Sequence, residues 1–234
     1  MSETYLRARR GMKTANQTTT LVGLTVAWGG VAVLISPAGR LLGPSERLTA
    51  QVLAQLVLWA LLGIIVAFVI FWEKQTLASM GLRPFRWASV GWGLILAAAT
   101  MYVIMPVLAG ALRVAGIPGF EAGIAKILVF PVWLRIFAVL TAGIVEDALF
   151  LGYAFTRLVP LTGSYWIAGG ISVIVSSLLH LPHWGAGPVL AYLVAGAVGT
   201  AFFVWRRDLL ANMIAHVTVD AVALIIIPAL SHAR

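Results

Sequence analysis

Five ionisable side chains fall where an apolar sequence least tolerates them: Glu146 and Asp147 in one hydrophobic stretch, His180 in a second, His216 and Asp220 in a third. Inside a membrane span such a group costs roughly 2.5 kcal/mol or more, so it faces a partner, a cavity or a reaction. A carboxylate, two imidazoles and a second carboxylate on separate helices suit the activation of water. Glu146 would then be the general base, His180 would hold the water, and His216 would stabilise charge on an oxyanion.

Spacing refines these roles. In His216-Val-Thr-Val-Asp220 the i,i+4 separation puts imidazole and carboxylate on one helix face, where they touch or address one ligand together. Glu146 and Asp147 are adjacent and point roughly 100° apart on an α-helix, which predicts that one faces the chemistry and the other is structural. His180 stands in Ser176-Ser177-Leu178-Leu179-His180-Leu181-Pro182-His183-Trp184. Pro182 makes continuation of the helix costly, which predicts an opening toward water beside His180, with His183 and Trp184 at the interface.

Two other chemistries use the same residue types. Glu146, His180, His216 and Asp220 could ligate Zn²⁺ in an open catalytic geometry, although no His-Glu-x-x-His helix is present. Intramembrane Asp, Glu and His also build the proton relays of small transporters, but the chain lacks the repeated halves such carriers commonly show.

The elements that must position these residues are membrane helices. Of 234 residues 61% are hydrophobic and 10% charged, more apolar than a soluble domain of this length can hide. Apolar runs able to cross the ~30 Å hydrocarbon core fall near 19–36, 49–72, 89–112, 132–155, 164–181, 187–205 and 209–230. The sequence therefore predicts an all-α polytopic membrane bundle of about seven transmembrane helices in a single embedded domain, 1–234. The stretch from Arg113 to Pro131 leaves room for an eighth element, interfacial or re-entrant. Gly187, Ala191, Ala195 and Gly199 form a small-residue stripe that lets a neighbouring helix approach the sixth span.

Cysteine is absent, which removes disulfides, a thiolate nucleophile and Cys-ligated metal. The net charge of +8 comes from Lys and Arg spread over the segments between spans, so topology explains it and no nucleic-acid partner is expected. With the N-terminus cytoplasmic, ten basic residues lie inside, among them Arg7, Arg9, Arg10 and Lys13, against six outside. Ser36-Pro37-Ala38-Gly39 is a poor signal-peptidase site, so the first apolar run is read as a retained span.

Taken together, Glu146-Asp147, His180 in its Ser-Ser-Leu-Leu-His-Leu-Pro setting, and His216-x-x-x-Asp220 resemble the three motifs of the CAAX protease and bacteriocin-processing family of intramembrane proteases. Met80-Gly81-Leu82-Arg83-Pro84 resembles the Gly-Leu-Arg turn common in that family. The resemblance covers a core of roughly residues 77–228. It implies a glutamate-dependent endopeptidase without a metal cofactor, in which Glu146 and His180 activate water while His216 and Asp220 stabilise the oxyanion. Implied partners are membrane lipid and a peptide or protein substrate, lipidated in some members of the family; the chain leans toward a prokaryotic plasma membrane.

Two positions depart from the pattern. The first motif usually reads Glu-Glu-x-x-x-Arg, so Asp147 replaces the second Glu and Leu151 stands where its Arg partner would be. Asp147 is left as a supporting carboxylate that is protonated, or bonded to a hydroxyl such as Thr141 or to another helix. The second motif usually has Phe four residues before the His, where this chain has Ser176. The catalytic positions survive and the supporting ones differ, which bears on substrate choice more than on chemistry; the departures are also the best support for a third reading, an inactive scaffold or immunity-type relative.

Overall fold

The structure, a computed structural model, describes residues 17–36, 41–44 and 47–232. Arg7, Arg9, Arg10 and Lys13, and the Pro37-Ala38-Gly39 junction, lie outside the described residues. Among the described residues the longer helices are, in order, α1 Gln17–Ile35, α2 Leu48–Trp72, α3 Trp87–Val114, α4 Glu121–Leu128, α5 over 132–162, α6 Tyr165–Trp184, α7 Ala186–Arg206 and α8 Leu209–Ser231. Among the described residues, six of these are long and apolar enough to cross a membrane, namely all but α4 and α5. The expected all-α polytopic bundle is what the chain forms. The 113–131 stretch yields α4, whose 8 residues are too few to cross the bilayer.

Burial is inverted relative to a soluble bundle. Large apolar side chains such as Trp72, Tyr102 and Trp166 point outward, as they do where lipid replaces water and helices satisfy their own backbone groups. The inside is organised around α5, in which every residue from 148 to 159 is buried. It packs against α1, α2, α6 and α8. The largely apolar run from Ala148 to Phe155, ahead of Thr156 and Arg157, reflects a helix surrounded on all sides.

α5 is also the least regular helix. Its ends, Val132–Leu140 and Thr156–Thr162, are α-helical, whereas the 15 residues Thr141–Phe155 carry i→i+5 hydrogen bonds. Such wide turns are rare, usually single, and frequent at functional sites. Glu146 and Asp147 lie within this one. Shorter wide turns occur at Phe68–Trp72, Thr100–Ile104 and Val222–Ile226.

Small residues set the closest helix approaches. A Cβ added at Gly143 would collide with Val217, including its backbone nitrogen at 2.8 Å, so α5 and α8 meet almost backbone to backbone there. At Gly93 the same atom would lie 2.7 Å from the Ala211 carbonyl, which joins α3 to α8. Of the stripe on α7, Ala191 is buried and the Gly199 carbonyl accepts from Asn212 Nδ2 at 2.9 Å, whereas Gly187 abuts the Pro118 carbonyl of a loop and the close approach to α6 is made at Gly196, against Val173.

A buried polar network locks the other end of α5. Arg157 donates to Glu73 Oε2 through Nε at 2.9 Å and Nη2 at 2.7 Å, and Nη2 also reaches Ser79 Oγ at 2.9 Å. Tyr153 donates to the other Glu73 oxygen at 3.0 Å. Both ionic side chains are almost wholly inaccessible, and burial is tolerable because the pair is hydrogen-bonded on several sides. The adjoining turn ends at Gly81, whose φ of +81° suits glycine. The Gly81 carbonyl accepts from Leu209 N at 3.0 Å, so the Gly-Leu-Arg turn is tied to the start of α8.

Candidate active site

Three helices bring the five sequence-identified residues together as two imidazole–carboxylate groups. α5 supplies Glu146 and Asp147, α6 supplies His180, and α8 supplies His216 and Asp220. Their side chains are between 17% and 33% exposed, so the cluster sits within the bundle yet stays open to a small reactant.

In the first group His180 Nε2 lies 3.3 Å from Glu146 Oε2. The other ring nitrogen, Nδ1, is 2.8 Å from the Ser176 carbonyl. A carbonyl only accepts, so Nδ1 carries a proton and Nε2 is the atom left for chemistry. Nε2 and the carboxylate face each other closely enough to share one proton. The backbone at 176 fixes the ring, which explains how Ser can stand where the motif has Phe without disturbing this contact.

In the second group His216 is flanked by two carboxylates. Nδ1 is 3.1 Å from Asp147 Oδ1, and Nε2 is 3.6 Å from Asp220 Oδ2 one turn along the same helix. Asp147 therefore does not face away from the site, as adjacency on an α-helix predicts. The i→i+5 turn holds more residues per revolution, which brings successive side chains closer in direction and lets both carboxylates meet imidazoles. Thr141 is not its partner: that hydroxyl donates to Phe137 O at 2.8 Å and accepts from Trp59 Nε1 at 3.0 Å, pinning α2 to α5 where the wide turns begin. Leu151 takes up a buried place in the core.

The expected break at Pro182 does not occur. α6 continues through it to Trp184 and stops at Gly185, with φ +84°. A proline two residues from a helix end removes only one late hydrogen bond, so the helix tolerates it. His183 and Trp184 engage the 113–131 stretch: Lys126 Nζ donates to the His183 carbonyl at 3.3 Å, and the Trp184 ring lies against Gly123.

The metal alternative asked Glu146, His180, His216 and Asp220 to converge on one point. Among the described residues no group of three or more His, Asp or Glu is arranged to hold a metal ion, because each imidazole nitrogen pairs off with its own acceptor.

One further side chain enters the cluster without any motif to announce it. Tyr192 of α7 places its ring 4.8 Å from that of His180. In sequence it is an ordinary aromatic in an apolar helix, and only the docking of α7 on α6 gives it this position.

Residues 128–222 match the family model described as Type II CAAX prenyl endopeptidase Rce1-like. The match contains Glu146, Asp147, His180, His216 and Asp220 and bears out the resemblance seen in the motifs. No curated protein and no solved structure matches the chain.

Proposed function

We propose, with the type II CAAX prenyl endopeptidase match over residues 128–222 as premise, that this integral membrane protein hydrolyses a peptide bond presented at or within the bilayer. Glu146 is the base, His180 holds the water, and His216 receives the oxyanion, with Asp220 stabilising it through the His216 ring one turn away. The observation that carries the reading is the 3.3 Å contact of His180 Nε2 with Glu146 Oε2, with Nδ1 committed to the Ser176 carbonyl.

The chemistry follows from that contact. A water entering between the two accepts from His180 Nε2–H and donates to Glu146, leaving a lone pair for the scissile carbonyl. Glu146 takes the water proton as the C–O bond forms, and the carbonyl electrons move onto oxygen beside His216. Collapse of that oxyanion breaks the C–N bond, and the proton on Glu146 passes to the departing amine. Water is consumed, a carboxylic acid and an amine result, and Glu146 is again a carboxylate. The position of the site within an apolar bundle favours a substrate that already resides in the membrane, such as a lipidated tail. A core at 77–228 and a prokaryotic plasma membrane with the N-terminus inside complete the reading.

The test compares peptide termini in membranes from cells expressing wild type or Glu146→Gln. At least one new terminus is expected in wild type and lost in the variant, since removing a general base lowers the rate by about 10²–10⁴-fold. If no terminus depends on Glu146, the proposal fails.

A further inference from the structure

The proposed hydrolysis concentrates negative charge on a carbonyl oxygen, and such a site works through donors aimed in advance at that oxygen. The motif residues are short of them. His216 has one ring nitrogen 3.1 Å from Asp147 and the other facing Asp220 at 3.6 Å. An ionised carboxylate accepts and does not donate, so Asp220 lacks the amide N–H that an Asn at the same position would offer. Beyond His216 Nε2–H, the three motifs leave an oxyanion without a second donor.

Tyr192 has the missing group. Its ring is held by His180 at 4.8 Å and by near-perpendicular contacts with Phe120 at 5.5 Å and Trp184 at 6.1 Å. Aromatic packing of this kind fixes the ring while leaving the phenol tip available. The ring it rests on, His180, faces Glu146 at 3.3 Å, so the phenol stands beside the pair that would hold the water. Among the described residues it has no hydrogen-bond partner. We propose that the Tyr192 O–H is a catalytic donor to the oxyanion, acting beside His216 Nε2–H. This rests on the hydrolytic reading above and adds a residue that none of its motifs contains.

Phenylalanine keeps the ring and removes only the donor, which makes Tyr192→Phe the decisive variant. The probe is a synthetic peptide spanning the bond whose new terminus depends on Glu146, assayed with the full chain in lipid or detergent. Tyr192→Phe is expected to lower kcat by about 10²–10³-fold, the usual loss for one oxyanion donor, with KM and thermal stability nearly unchanged. Adding Asp220→Asn to Tyr192→Phe supplies an amide N–H at the same place and is expected to recover part of the lost kcat. A Tyr192→Phe variant that turns over like wild type, or one that loses only substrate affinity, overturns the assignment. So does a double variant that recovers nothing, because Tyr192 would then be serving Asp220 and not the substrate. Glu146→Gln in the same assay separates the two levels: if it is inactive while Tyr192→Phe is normal, only the Tyr192 assignment falls. If no terminus depends on Glu146, the hydrolytic reading falls and Tyr192 with it.

Discussion

His216 Nδ1 lies 3.1 Å from Asp147 Oδ1, so the carboxylate that lost its motif arginine has an imidazole on another helix as its partner. The wide turns of α5 make this possible by bringing Asp147 toward the face used by Glu146. Asp147 thereby orients the ring whose other nitrogen faces Asp220. In the proposed reaction its role would be exerted through His216, without contact with substrate.

Asp147→Asn should preserve the shape of this contact and remove its charge. A hydrogen bond to a charged group contributes about 1.5–3 kcal/mol against about 0.5–1.5 for a neutral one. The expected loss is about fivefold in kcat, that is, roughly 1 kcal/mol in the barrier, with KM unchanged. Asp147→Leu should lose more. Cleavage rates of the two variants against wild type provide the check, and a fully active Asp147→Leu would show that His216 needs no support from α5.

Gly143→Ala should disturb the site from a distance. The added carbon would press on the Val217 backbone, next to His216, so α5 and α8 must separate. Overpacking of this kind costs about 1–3 kcal/mol. Gly170, where an added carbon meets nothing within 4 Å, is the control. Thermal unfolding and cleavage rate should both fall for Gly143→Ala and stay near wild type for Gly170→Ala.

Arg157→Met leaves Glu73 buried without its counter-charge, and Glu73→Leu does the reverse. Breaking one member of a buried pair costs about 3–5 kcal/mol, while replacing both by apolar residues is often neutral. Each single variant should therefore unfold at a lower temperature in detergent, and the double variant should regain most of the loss. Equal and additive losses would mean that the pair is not the source of the stability.

Ser176→Ala should change little. The group that orients His180 is the backbone carbonyl at this position, and every residue supplies one. Cleavage within about twofold of wild type is expected, since side-chain substitutions away from a contact usually stay within about 0.5 kcal/mol. A large loss would assign the hydroxyl a role of its own.

Much of this protein was legible in sequence because the relevant signals are local. Apolar runs long enough to span a bilayer specified an all-α membrane bundle, and the His216–Asp220 spacing placed two groups on one face before any packing was known. The types and order of Glu146, His180 and His216 pointed to hydrolysis, and the family match over 128–222 agrees with that choice of motifs. What failed were inferences that assumed one helical geometry. The roughly 100° turn of an α-helix sets Asp147 apart from Glu146, and the cost of a proline in a helix argues for an opening at Pro182 that the late position of the residue makes unnecessary.

Only the tertiary structure decided the rest, because it depends on which faces of different helices meet. The close approach at Gly143 and Val217 puts Asp147 on His216, and the wide turns of α5 put both carboxylates within reach of imidazoles. Arg157 looks in sequence like a residue of a loop between spans, yet it closes a buried network with Glu73, Ser79 and Tyr153. Tyr192 has no motif at all and joins the site through the packing of α7 on α6. Sequence determines which side chains are too costly to bury alone; the approach of one helix to another determines which of them bury together.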